Sequence, residues 1–115
     1  MWLIGIFQNS EPYNIILFSE YSKITIYQET NMTATLNFEA ESVTITAYLA
    51  SGKIDTLSMS KKNSTEWEEK VIFNETGIHE VVATATTPNG DVVENSIQIE
   101  VIPISLNNIN FGQLF

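Results

Sequence analysis

Trp67-Glu68-Glu69-Lys70-Val71-Ile72-Phe73, Asn74-Glu75-Thr76-Gly77, Ile78-His79-Glu80-Val81-Val82-Ala83-Thr84-Ala85-Thr86, Thr87-Pro88-Asn89-Gly90-Asp91 and the closing run to Ile97-Gln98-Ile99-Glu100-Val101 decide the fold. Apolar residues recur at every second position in each run. That period belongs to strands with one buried face. Gly77 and Asn89-Gly90 punctuate the runs. Asn-Gly is the strongest short hairpin signal, because a two-residue type I′ turn needs positive φ at both central positions. Three consecutive strands joined by two turns predict a β-sandwich.

Outward from this stretch the same period continues. Residues 23–28 place Ile24 and Ile26 on one face. Residues 32–40 place Met32, Ala34, Leu36 and Phe38 opposite Thr33, Thr35 and Asn37. Residues 42–49 turn Val43, Ile45, Ala47 and Leu49 inward and Tyr48 outward. A weaker strand over 53–60 carries Ile54, Leu57 and Met59. His79, Val81, Ala83 and Ala85 share a face, as do Val93, Ile97, Ile99 and Val101. The expectation is about seven core strands in an antiparallel sandwich over 21–102. Residues 1–20 hold two further apolar runs, at 2–7 and 13–19, that predict one or two extra N-terminal strands. Residues 103–115 form a C-terminal extension or linker.

The bulk numbers narrow the functional classes. At 115 residues the chain is one domain. It is long enough to bury roughly 65% of its unfolded surface. It has no cysteine, and so no disulfide and no thiolate metal ligand. The formal net charge is −9, with 14 acidic residues against five lysines and no arginine. Nucleic-acid binding needs a basic footprint, and anionic lipid needs one too. Neither partner is expected. Met1 to Phe7 is apolar but has no basic flank, the first lysine being Lys23, so a signal peptide is not expected there. No apolar run is long enough to span a bilayer as a helix.

Trp67, Val71, Phe73, Gly77, His79, Val81, Ala83, Ala85, Gly90 and the pattern Ile97, Ile99, Val101 resemble bacterial immunoglobulin-like and PKD-like surface modules. The resemblance covers residues 21–102. It implies an immunoglobulin-like fold, an extracellular or cell-surface location, and use in spacing or adhesion. His79 stands where the family has tyrosine. The family tyrosine makes a corner hydrogen bond, and a histidine can pack there and donate one bond.

Chemistry-bearing residues are sparse. His79 is the only histidine, with no nucleophile and carboxylate spaced to suggest a triad. Glu66, Glu68, Glu69 and Glu75 form an acidic patch that a solvated face explains more simply than a glycosidase pair. Asp55 and Asp91 are the only aspartates and lie far apart, so no calcium loop is expected. Catalytic residues, metal ligands and cofactors are therefore predicted to be none, and the chain is not expected to be an enzyme. Asn31, Asn63 and Asn74 begin N-x-S/T sequons, placed in expected loops, against roughly two expected by chance. Tyr27, Tyr48 and Trp2 are candidate aromatic contacts for protein or glycan. Two roles remain open. One is a structural or adhesion module contacting protein or glycan. The other is a filament, pilus or virion subunit, joined to copies of itself by strand addition through its terminal segments.

Overall fold

Thr, Val and Ile dominate the alternating runs, and such β-branched residues suit a pleated, half-buried surface. The computed structural model describes residues 12–104. Nine strands follow in order: β1 Ile15–Ser19, β2 Lys23–Thr25, β3 Glu29–Leu36, β4 Val43–Tyr48, β5 Ile54–Ser58, β6 Ser60–Lys61, β7 Glu66–Ile72, β8 Gly77–Thr86 and β9 Val92–Ile102. One sheet has the order β1-β3-β7-β6 and the other β2-β9-β8-β4-β5. Faced together, these orders are the immunoglobulin-like arrangement, with β5 as an added edge strand.

The core lies where the alternation puts it. Met32, Ala34, Trp67, Val71 and Phe73 of the first sheet meet Ile45, Val81, Ala83, Ile99 and Val101 of the second, all buried. Each of the Val, Ile, Met and Phe side chains among them contributes about 1.5–3 kcal/mol on burial. Ile15 and Leu17 belong to the same core. The run 13–19 is thus an integral strand, β1, paired in register Ile15↔Leu36 through Ser19↔Met32. The run 2–7, including Trp2, lies outside the described residues, as does 105–115.

Four details differ from the sequence expectation. First, β2 pairs with β9 in parallel, Lys23↔Glu100 to Thr25↔Ile102, so the sandwich is not wholly antiparallel. The chain crosses between sheets after β1, and a short crossing delivers the next segment beside β9 in β9's own direction. Buried Thr30 supports the crossing: its Oγ1 lies 2.9 Å from Ser19 Oγ, which donates to Tyr21 O at 2.7 Å. Second, the strand expected over 23–28 stops at Thr25. Tyr27 adopts φ 70° in the turn to β3 and donates its N–H to Phe73 O at 3.0 Å. Third, the segment 53–60 splits into two strands of different sheets. Buried Met59 is the crossing point, its N–H bonded to Val43 O. Eight strands therefore occupy the span where seven were expected.

Fourth, the β8–β9 connection is not a two-residue type I′ turn. Thr87 N donates to Asp91 O at 2.7 Å, and Gly90 N donates to Thr87 O at 2.9 Å. Only Gly90 has positive φ, at 90°. Pro88 pre-sets the φ that the second residue of a type I turn needs, and Gly90 then closes a three-residue loop. The β4–β5 hairpin repeats the pattern: Leu49 N to Lys53 O, Gly52 N to Leu49 O, both 2.8 Å, with Gly52 at φ 96°.

Candidate functional site

The two long sides of the sandwich are built differently. Along the β1/β9 side the sheets are tied together. Leu17 N–H faces away from β3 and donates to Asn95 Oδ1 of β9 at 2.9 Å. Across the opposite side the tie is the chain itself, passing from β5 to β6 at Met59. Strand β6 is only two residues long and covers only Trp67 and Glu68 of β7.

Below that crossing no strand among the described residues covers β7. Alternation along β7 fixes which backbone groups are left. Glu66 O accepts from Lys62 N on the β6 side. Phe73 O accepts from Tyr27 N on the β3 side. The N–H and C=O of Lys70 and Ile72 share the parity of Glu66 and so point to the uncovered edge. Inside this edge is a cleft of about 230 Å³. Ile45, Leu49, Val71, Phe73 and Val81 form its floor, while Leu57, Asp55 and Asn74 form its rim. Asp55 shares parity with Leu57 and faces inward on the edge strand β5. It is paired with Lys53 at 3.8 Å, and an inward charge discourages pairing at that edge. The lining is mainly apolar, with Thr56, Asn74 and one carboxylate as its polar members.

His79 sits beside the cleft floor and is fully buried. Ala50 N–H donates to its Nδ1 at 2.9 Å. Its other ring nitrogen lies 2.9 Å from Glu75 O, an acceptor, so Nε2 carries the proton. The ring stacks on Phe73, with centroids 5.2 Å apart. The bond to a backbone carbonyl a few residues upstream is the one a corner tyrosine would make. Gly77 stands over the same place at φ 125°, and a Cβ there would lie 2.6 Å from Ala50 Cβ. The histidine locks the β4–β5 hairpin to the β7–β8 turn.

The other sequence candidates are scattered. Tyr48 is exposed on the outer face of β4, opposite Glu80 and Ile54. Tyr27 is exposed in the turn before β3, not on an outward strand face, and the two tyrosines do not share a strand. Asn31 is not in a loop. It lies within β3, opposite Lys70, and its carbonyl accepts from Glu20 N. Asn63 is in a loop, where Oδ1 accepts from Thr65 and Glu66 N–H and Nδ2 donates to Glu66 Oε1 at 2.7 Å. Asn74 is exposed at the mouth of the cleft. Glu69 is half-buried at the inward parity of β7. Among the described residues no three His, Cys, Asp or Glu side chains converge as metal ligands would. The cleft itself was not visible in the sequence. Its one signal is the polar run Lys61-Lys62-Asn63-Ser64, which ends β6 after two residues.

No family model matches the chain, and no curated protein matches it in sequence. Solved structures do. An endo-β-1,4-mannanase from Thermotoga petrophila superposes with a TM-score of 0.68 over 89% of this chain and 22% of its own, at 11% identity. A DUF4785 family protein from Legionella pneumophila gives 0.67 over 78% and 28%, also at 11% identity. CopC from Methylosinus trichosporium OB3b gives 0.60 over 82% and 97%, at 13% identity. The chain spans about a quarter of the length of the first two. At these identities the likeness is one of fold, and small all-β sandwiches host unrelated functions.

Proposed function

We propose that the chain is a non-catalytic immunoglobulin-like module, akin to bacterial surface modules, of an exported or cell-surface protein. Its work is spacing, or contact with protein or glycan. One observation carries this reading. The cleft beside β7 is lined mainly by aliphatic and aromatic side chains, with Thr56 and Asn74 as its neutral polar members and its single carboxylate engaged by a lysine. Acid–base or nucleophilic chemistry needs convergent reactive groups within hydrogen-bond reach of one another. The match to about a quarter of two larger chains supports use of this fold as one part of a bigger protein. The net charge of −9 supports solubility and low non-specific association.

The test uses β-1,4-mannan and a panel of other polysaccharides. The expected result is no release of reducing ends above buffer. Release that disappears in Asp55→Asn would overturn the non-catalytic reading. If contact with glycan is the role, retention on an insoluble polysaccharide falls in Tyr48→Ala while the fold is kept.

A second reading is a subunit assembled by strand addition. Among the described residues the edge of β7 at Lys70 and Ile72 has no partner strand, which favours it, because unpaired strand edges template pairing with another chain.

A further inference from the structure

We propose that Asn74, alone of the three sequon asparagines, carries an N-linked glycan in the folded chain, and that this glycan covers the mouth of the cleft beside β7. The inference rests on the reading of the chain as an exported module, because Asn-x-Ser/Thr acceptors are used on exported chains. It goes beyond that reading by assigning a modification site and a cover for the cleft.

The fold separates the three sequons. Asn31-Met32-Thr33 lies inside β3, a strand flanked by β1 and β7. Asn31 is half-buried opposite Lys70, its carbonyl accepts from Glu20 N, and Met32 is fully buried in the core. A glycan acceptor belongs on a surface loop, and this one is held in a ladder. Asn63-Ser64-Thr65 is in a loop, but its carboxamide is already engaged. Nδ2, the atom that would take the sugar, donates to Glu66 Oε1 at 2.7 Å. Oδ1 accepts from Thr65 N–H at 3.0 Å and from Glu66 N–H at 2.9 Å, and these bonds close the turn into β7. Asn74-Glu75-Thr76 forms the turn between β7 and β8, where Asn74 and Thr76 are both exposed. The backbone is fixed on either side of Asn74: Phe73 O accepts from Tyr27 N, and Glu75 O accepts from His79 Nε2. The acceptor is therefore accessible and rooted at a defined point.

The position gives the glycan a consequence. Asn74 lines the cleft together with Leu57, Ile72 and Phe73. Leu57 is 42% and Ile72 57% exposed, so apolar side chains reach solvent beside Asn74. A glycan is bulky and solubilising. Rooted at Asn74 it lies over Leu57 and Ile72 and obstructs a second chain approaching the edge of β7. In the transfer, Asn74 Nδ2 attacks C1 of the first sugar of a polyprenyl-pyrophosphate-linked oligosaccharide. The C1–O bond breaks and a C1–N bond forms. The lipid pyrophosphate leaves with the bonding pair, and Nδ2 gives up one proton.

The test uses the full chain secreted from a eukaryotic host, which supplies the transferase and the lipid-linked donor whatever cell the chain comes from. Glycopeptide mass spectrometry of the folded product is expected to find Asn74 occupied and Asn31 and Asn63 bare. Thr76→Ser keeps the glycan and Thr76→Ala loses it, which separates loss of the sequon from loss of the fold. A bare Asn74, or Asn31 or Asn63 occupied as fully as Asn74, would overturn the proposal. Either result leaves the module reading standing, since the polysaccharide assays test that reading separately. Covering of the cleft is read by thiol alkylation. The chain has no native cysteine, so Leu57→Cys places a single thiol at the mouth and Val92→Cys one at the far end of β9. Both positions are exposed, which leaves the core intact. The glycan is expected to slow alkylation of the Leu57→Cys variant about threefold or more, relative to the same variant carrying Thr76→Ala, and to leave Val92→Cys unchanged. Equal rates at Leu57→Cys with and without the glycan would overturn the covering role.

Discussion

At His79 one side chain satisfies two backbone groups from different turns, the N–H of Ala50 and the C=O of Glu75. Only the tautomer with its proton on Nε2 does both, and nitrogen chemical shifts of the ring test that assignment directly. A proton on Nδ1 instead would contradict it. His79→Phe keeps the stacking on Phe73 but leaves both partners unpaired, and is expected to cost about 1–3 kcal/mol in denaturant unfolding. Gly77 is the second constraint at this corner. Gly77→Ala must hold φ 125° and push a Cβ against Ala50, so a loss above about 2 kcal/mol is expected. Gly52→Ala and Gly90→Ala meet nothing within 4 Å and carry only the conformational cost, about 1–2 kcal/mol. Equal losses at all three would show that the contact with Ala50 carries no weight. The burial of His79 was legible from its parity with Val81 and Ala83. Its partner Ala50 was not, because the contact joins turns 29 residues apart.

Among the elements, edges matter more than centres. The central strands β3, β4, β7, β8 and β9 follow from alternation, since only one parity of side chains can be buried. What alternation leaves open is how a strand ends and which neighbour it takes. Period two does not distinguish one strand over 53–60 from two strands in different sheets, and only Met59's burial records the crossing. Nor does it assign a direction to β2, whose three residues follow the path of the chain after β1. The Asn89-Gly90 signal located the hairpin and misassigned its turn, because Pro88 makes the type I turn the easier start. The tie from Asn95 to β1 is a non-local bond of the same kind. Asn95→Ala is expected to cost about 1 kcal/mol and to speed exchange of the Leu17 amide, with β8 amides unaffected. Unchanged exchange at Leu17 would mean β1 is held by the packing of Ile15 and Leu17 alone.

For the whole molecule, an acidic sandwich is tied along one side and, among the described residues, open along the other. A spacer or contact module leaves that edge unused, whereas an assembling subunit pairs it with another copy. The most direct test is absolute molar mass by light scattering over a concentration series. The full chain is expected to hold the mass of one copy throughout, as a spacing or contact module requires. Growth of the full chain into dimers or fibres would contradict the account and favour the assembling subunit.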